Sequence, residues 1–416
     1  MILASRNASD RKIKRLAILV VIYLIFVLVC LPLLSPLRNL GVMEPGYIRN
    51  AILPFLFLAI FFTAGIGNLL KPRSGIQILF ILMIFQSSLL GIWRLFDFGG
   101  RAYFSHIFQI SSAYLLIYVG WIMFDYWGEV FWRRMAFISL VAAFFSSALV
   151  IGALDRGDIG RYYTAAYGFI FVSAFSAVAS KKMQLMSFIG AGISNKRAVV
   201  LAIVSIAFAG FLNRKNDSDF TYTRLLAQIA GMFVVVAGGV FCLFLAIGWA
   251  KSNEDAALAK AINISVARAE QVIQIRERNK SLDEISSGRF AEIDAAVDSL
   301  DGFDFVFGSG AGWTIKIDYE REVQNIHFTP LSLVAVYGIP YVVIFYGFLI
   351  AYLIRFFVKR RKRSFTEQIA PLYIIGGLVH SFFAYSLFID WMFFFFVGVL
   401  IRSVTVRNVN RLEGAR

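Results

Sequence analysis

Four arginines and one histidine carry the chemistry this chain can offer. Arg156, Arg161, Arg197 and Arg289 lie between or at the ends of apolar runs, and His327 opens the apolar run 328–350. A guanidinium presents a planar fork that matches phosphate oxygens in pairs. Gathered on one side of a membrane, these arginines would form a cationic bowl for a phosphate-bearing molecule; singly, each is equally a solvated or headgroup-paired charge. An imidazole at a membrane–water boundary can take up a proton near neutral pH. In Phe307-Gly308-Ser309-Gly310-Ala311-Gly312, successive backbone N–H groups could form an anion nest, although the glycines account for a tight turn as well. The run lacks the Lys-Ser/Thr of a nucleotide P-loop.

Other polar residues read as structural. His106 and His380 fall inside apolar runs, Asp217 and Asp219 in a short loop, and Asp155 and Asp158 beside Arg156 and Arg161 as turn partners. No His/Asp/Glu cluster has metal-ligand spacing, so neither a metal nor another cofactor is expected.

Membrane helices must position these groups. Of 416 residues, 59% are hydrophobic and 16% charged, and the mean hydropathy is +0.72. A soluble domain has roughly 45–50% apolar and about 25% charged residues, which excludes a water-soluble enzyme. The only cysteines, Cys30 and Cys242, lie in apolar runs and exclude a secreted disulfide scaffold. The net charge of +15 sits at the ends of the runs, which argues against a nucleic-acid partner. Met1–Arg15 is polar and basic and precedes a full-length span, unlike a cleavable signal peptide.

Apolar runs predict an all-α polytopic membrane protein of about twelve spans, at 16–36, 50–70, 76–95, 104–124, 135–153, 164–180, 183–194, 198–212, 225–249, 328–350, 369–388 and 389–402. Basic punctuation such as Lys71-Pro72-Arg73, Arg133-Arg134, Lys181-Lys182 and Lys359–Arg363 places both termini in the cytoplasm by the positive-inside rule. Short helices meeting near Ser194–Arg197 keep that alternation, with Arg197 at or below the outer surface, where a charge needs a partner or a wet cavity. The expected organisation is therefore helices 1–9 over 1–249, an outer segment over 250–326, and the last three helices with a basic tail over 327–416. The outer segment carries 9 basic and 14 acidic residues. Leu258, Ile262, Val266, Ala269 and Ile273 recur at helical spacing, as do Phe290, Ile293, Val297 and Leu300, and Ser281–Glu284 reads as a capping box. Two amphipathic helices over the membrane face follow. Pro330 suits a first helical turn, and Pro340 should kink the 328–350 helix.

The order of these features resembles the O-antigen polymerase and O-antigen ligase superfamily of bacterial polysaccharide assembly. It rests on Asp155–Arg161, Ser194-Asn-Lys-Arg197, Ser287-Gly-Arg289-Phe, Val306–Gly312, Ile326-His327-Phe-Thr-Pro-Leu331 and Val336-Tyr-Gly338, roughly residues 150–350. Phe328 and Tyr341 depart from the family pattern, which usually has Asn after the histidine and a glycine three residues after Gly338. The resemblance implies a C-type (GT-C-like) membrane glycosyltransferase in the bacterial inner membrane, working at the periplasmic face without nucleotide sugar or metal. It implies a glycan donor on undecaprenyl diphosphate and a lipid-linked acceptor, with inversion at the sugar carbon and a chain-length regulator as a candidate partner. By the same match Arg197, Arg289 and His327 are the catalytic residues; Arg156, Arg161 and the glycines 308, 310 and 312 would support the diphosphate. Polymerase is the preferred member; ligase, with lipid A core as acceptor, is the alternative, and a lipid-linked sugar flippase or secondary transporter is the rival of another class.

Overall fold

The computed structural model describes residues 2–39, 45–69, 71–96, 100–155, 166–193, 197–214, 252–253, 289–318, 321–358, 363–383 and 387–405. These residues are mostly helical. In chain order the helices are α1 (Ile2–Ile25), continued through a π-turn into α2 (Leu31–Asn39), α3 (Pro45–Ala64), α4 (Gly75–Gly91), α5 (Arg101–Ile122), α6 (Glu129–Asp155), α7 (Ala166–Ala179), α8 (Lys181–Ile193) and α9 (Arg197–Arg214). Within the expected outer segment 250–326 lie α10 (Arg289–Asp298) and α11 (Gly302–Phe307), and after it come α12 (Thr329–Tyr337), α13 (Ile339–Val358), α14 (Phe365–Ser381) and α15 (Trp391–Thr405). Four helical stretches, Arg11–Leu34, Gly75–Leu95, Glu129–Gly152 and Ile339–Val358, are long and apolar enough to cross a membrane; shorter apolar helices include Ala51–Ala64, Gly168–Ala179, Ala198–Gly210 and Met392–Thr405. Where they are described, the expected segments are largely helical; 225–249 lies outside the described residues, as do 258–273 and the 281–284 box.

The chain forms two compact units. One comprises Met1–Tyr23, Leu53–Trp132 and Ser286–Arg416, the other Leu24–Ile52 and Arg133–Ile285. In the first, the described end of the segment 250–326 belongs with helices from both halves of the chain.

At the heart of the first unit are α5, α14 and α15. Ser112–Trp121 and Met392–Ile401 are buried without a break, the signature of helices enclosed on every side. Two glycines let α5 and α15 touch backbone to backbone. A Cβ at Gly120 would stand 1.9 Å from the Phe395 carbonyl oxygen, and one at Gly398 2.1 Å from that of Ile117. Around them, α4 and α13 keep apolar side chains such as Phe85, Leu89, Val343 and Ile354 exposed, as a lipid-facing surface requires. In the second unit α7, α8 and α9 pack as a trio, with Gly190 against the Phe169 ring and Gly210 against Ala177.

Two features differ from the sequence reading. The 328–350 segment is not one kinked helix. It breaks at Gly338, at φ 84°, and Pro340 becomes the second residue of α13, where its missing N–H leaves no gap in the helical ladder. A short antiparallel hairpin, β1 (Ile315–Asp318) with β2 (Arg321–Val323), also follows the glycine-rich run, pairing Ile315 with Val323 and Lys316 with Glu322. It leads the chain from the Gly308–Gly312 segment back toward α12.

The break at Gly338 and the glycine-rich segment depend on one another. A Cβ at Gly338 would lie 2.2 Å from the Val306 carbonyl oxygen, and one at Gly308 2.4 Å from that of Val336. Gln86 of α4 donates to the Phe307 and Tyr337 carbonyls, which the two helix ends leave without helical partners. On the other side, Gly310 meets Leu90 and Gly91 of α4, and Ala311 N–H donates to the Ser87 carbonyl at 2.8 Å. Gly338→Ala or Gly310→Ala should therefore overpack a seam already at backbone contact, at about 1–3 kcal/mol, with strain at positive φ of similar size added. Thermal unfolding of the purified variants checks this; midpoints equal to the parent's would show the seam to be loose.

Candidate functional site

The described part of the site is built where α10, the hairpin and the start of α12 meet. Helix α10 begins at Arg289 and has Glu292 in its first turn, where a carboxylate suits the positive end of the helix dipole. The face α10 buries is the line Glu292, Ala296 and on to Leu300, at intervals of four, while Val297 is exposed. Of the expected stripe, Leu300 is buried, Ile293 half-buried and Val297 exposed, while the side chain of Phe290 lies outside the described ones. Glu292 Oε2 lies 2.7 Å from His327 Nδ1 and accepts the His327 backbone N–H at 3.1 Å. One acidic oxygen holds one histidine by both its main chain and its ring.

The segment around His327 is clamped. Ile326 is fully buried, and its N–H donates to Ser332 Oγ of α12 at 3.1 Å. Phe328 caps α12 in an extended conformation, and Pro330 follows in the first turn. Thr329 Oγ1, fully buried, accepts the Leu387 N–H at 3.2 Å, tying the start of α12 to the turn before α15. Glu292 has a side-chain exposure of only 9% against 22% for His327, so the carboxylate is inside and the imidazole at the rim. With Nδ1–H donated to the carboxylate, the neutral ring carries its lone pair on Nε2. Arg289 stands one helical turn before Glu292 on the same face, at the i, i+3 spacing of surface neighbours. The structure thus brings Arg289 and His327 to one place through Glu292.

The remaining expected residues fare differently. Arg197 is the first residue of α9 and belongs to the other unit. Arg156 and Arg161 lie outside the described residues, as do Asp158, Asp217 and Asp219. The anion nest is a correction: the N–H groups of Gly308, Ser309, Gly310, Ala311 and Gly312 are donated to Asp304 O, Ala335 O, Val336 O, Ser87 O and His106 Nδ1, at 2.7 to 3.1 Å. All five residues are buried. Gly308, Gly310 and Gly312 therefore serve backbone packing, with no donor left for a phosphate. Their positive φ values serve the tight turns and leave room for α4 and α12.

Three features were not picked out from the sequence. Glu292 is one; the only hint was an acid on the i, i+4 line leading to Ala296 and Leu300. Arg94, in the short turn that follows α4, is the second: its guanidinium lies over the Trp93 ring at 4.6 Å, and its Cβ lines the space beside Gly312. The third is Asp390, buried and hydrogen-bonded at 3.0 and 3.1 Å by the Tyr373 hydroxyl, with Phe393 N–H donating to it at 3.3 Å. Asp390 caps α15, and an acid at the mouth of an apolar run is a readable sign of such a cap. His106 bridges α5 and the glycine segment as a buried acceptor.

No protein-family model, curated protein or solved structure matches the chain.

Replacing Glu292 by Ala strands a ring donor and a main-chain donor together. The expected cost is about 1–3 kcal/mol, seen as a lower unfolding midpoint, with Glu292→Gln, which keeps an acceptor oxygen, losing less. Equal midpoints for Glu292→Ala and the parent would mean that water replaces the carboxylate at no cost.

Proposed function

We propose that this chain is a polytopic inner-membrane glycosyltransferase of about twelve spans, with both termini cytoplasmic, that polymerises a polysaccharide at the periplasmic face. The donor is a growing glycan on undecaprenyl diphosphate and the acceptor a lipid-linked repeat unit. The observation that carries this reading is the Glu292–His327 pair one helical turn from Arg289, taken with the motif order along the sequence.

The chemistry uses these groups as follows. His327 Nε2 accepts the proton of the acceptor hydroxyl while that oxygen attacks the anomeric carbon from the face opposite the diphosphate. The bond from the anomeric carbon to the diphosphate oxygen breaks, and its electron pair leaves with the lipid diphosphate. Glu292 keeps the ring in one tautomer and stabilises the imidazolium that forms, the task a buried carboxylate performs beside a general-base histidine. Arg289 balances the charge growing on the leaving group. The apolar helices hold the polyprenyl chain.

Purified protein incubated with lipid-linked repeat unit, with and without lipid A core, tests this. A product ladder without core supports the polymerase; transfer only with core makes it a ligase; no transfer with either leaves the transporter. His327→Ala and Arg289→Ala should each lower the rate on the order of 10²–10³-fold, and Arg289→Lys should stay impaired because the fork is lost. Near-normal rates in both alanine variants at equal expression would remove this mechanism. Orientation is checked separately with cysteines placed at the exposed positions Ser299 and Arg134 in a background lacking Cys30 and Cys242. In intact inner-membrane vesicles of right-side-out polarity, an impermeant maleimide should label position 299 and leave position 134 unlabelled; the reverse would invert the topology.

A further inference from the structure

At the other end of α4 and α5 from the glycine segment, roughly 25 Å along α4 at 1.5 Å per residue, two guanidiniums lie over rings of α5 that are three residues apart, Tyr118 and Trp121. Arg73 precedes α4, its N–H fixed by Gln77 Oε1 at 2.6 Å, and its guanidinium lies over the Tyr118 ring at 5.4 Å. Arg402, in the last turn of α15, lies over Trp121 at 5.1 Å and over Phe124 at 5.4 Å. Among the described residues neither forms an ion pair with a carboxylate. Arg402 Nε is buried and has no hydrogen-bond partner.

We propose that Arg73 and Arg402 form a binding site for a phosphate group, held open by the aromatic faces of Tyr118, Trp121 and Phe124. Stacking on a ring occupies the flat face of a guanidinium and leaves its in-plane N–H donors for an anion. A phosphate placed between the two takes paired hydrogen bonds from both forks and offsets their two positive charges. The site is independent of the Glu292–His327 pair and of the reaction proposed for it. Its position at the ends of apolar helices suits the headgroup of an anionic phospholipid, and free phosphate shares the same chemistry.

The test is native mass spectrometry of the full chain from micelles doped with equal phosphatidylglycerol and phosphatidylcholine, beside thermal unfolding of lipid-free protein with millimolar inorganic phosphate. Phosphatidylglycerol should be retained at least about tenfold over phosphatidylcholine, and Arg73→Gln or Arg402→Gln should lower its retention about tenfold, the loss expected for a charge-assisted hydrogen-bond pair. Arg355→Gln, at the same helix end beside Val404 and Thr405 but outside the pair, should retain the parent's lipid. A phosphate-induced rise in midpoint that Arg402→Gln abolishes, without lipid preference, identifies free phosphate as the ligand. If Arg402→Gln does not survive purification, Arg402→Lys and Arg73→Gln carry the comparison. Equal retention of the two lipids with no phosphate effect overturns the site. So does a loss in Arg355→Gln matching that in the paired arginines, which would reduce it to general basicity.

Discussion

Where a helix breaks inside an apolar unit, its last carbonyls and the next N–H groups have no water to turn to, and an unpaired one costs several kcal/mol in such surroundings. The α12–α13 break at Gly338 meets this constraint with another interrupted strand of chain. The segment 306–312 lies against it closely enough that neither can carry a side chain at Gly308 or Gly338. Ser309 and Gly310 donate to the Ala335 and Val336 carbonyls, and Gln86 takes up the carbonyls of Phe307 and Tyr337. This mutual satisfaction places the short helix α12, and with it the turn that carries His327.

The Glu292–His327 pair is the chemical consequence. A buried carboxylate is costly unless its oxygens are engaged, and Glu292 engages both the ring and the main chain of one residue. The pairing does two things at once. It anchors α10 to the start of α12, and it sets which ring nitrogen is left for proton chemistry. A histidine held only by packing would have neither a fixed tautomer nor a fixed orientation, so the structural and the chemical roles of Glu292 are the same interaction. Arg289 arrives at the rim because the helix that carries Glu292 begins there.

The two ends of the first unit treat cations in contrasting ways. Near His327, arginine stands one turn from a carboxylate that is already committed. At the far end, Arg73 and Arg402 are braced by aromatic rings and by no acid among the described residues. Aromatic bracing holds a charge in place without neutralising it, which keeps its attraction for an anion intact.

Much of this was legible in the chain. Long apolar runs with basic punctuation define membrane helices because a bilayer-spanning segment must be apolar over about 20 residues, and four described helices are long and apolar enough to cross a membrane. Arg289 was legible as a chemical candidate because loops on the outer side should be poor in arginine, and His327 because an imidazole at a membrane–water boundary can take up a proton. Glu292 was not, since a carboxylate in an acidic, hydrophilic segment looks solvated until a partner 35 positions away buries it. Nor were the glycines' true duties. Gly308, Gly310 and Gly312 advertise backbone freedom in the sequence, but whether their N–H groups face a ligand or a neighbouring helix depends on what packs there, and here Asp304 of α11, Val336 of α12 and His106 of α5 take all three. Local composition determined which segments are helical and which residues are reactive in kind. Tertiary structure decided which side chain is buried, which nitrogen is free to react, and which donors are already spent, because each of those depends on atoms far away along the chain.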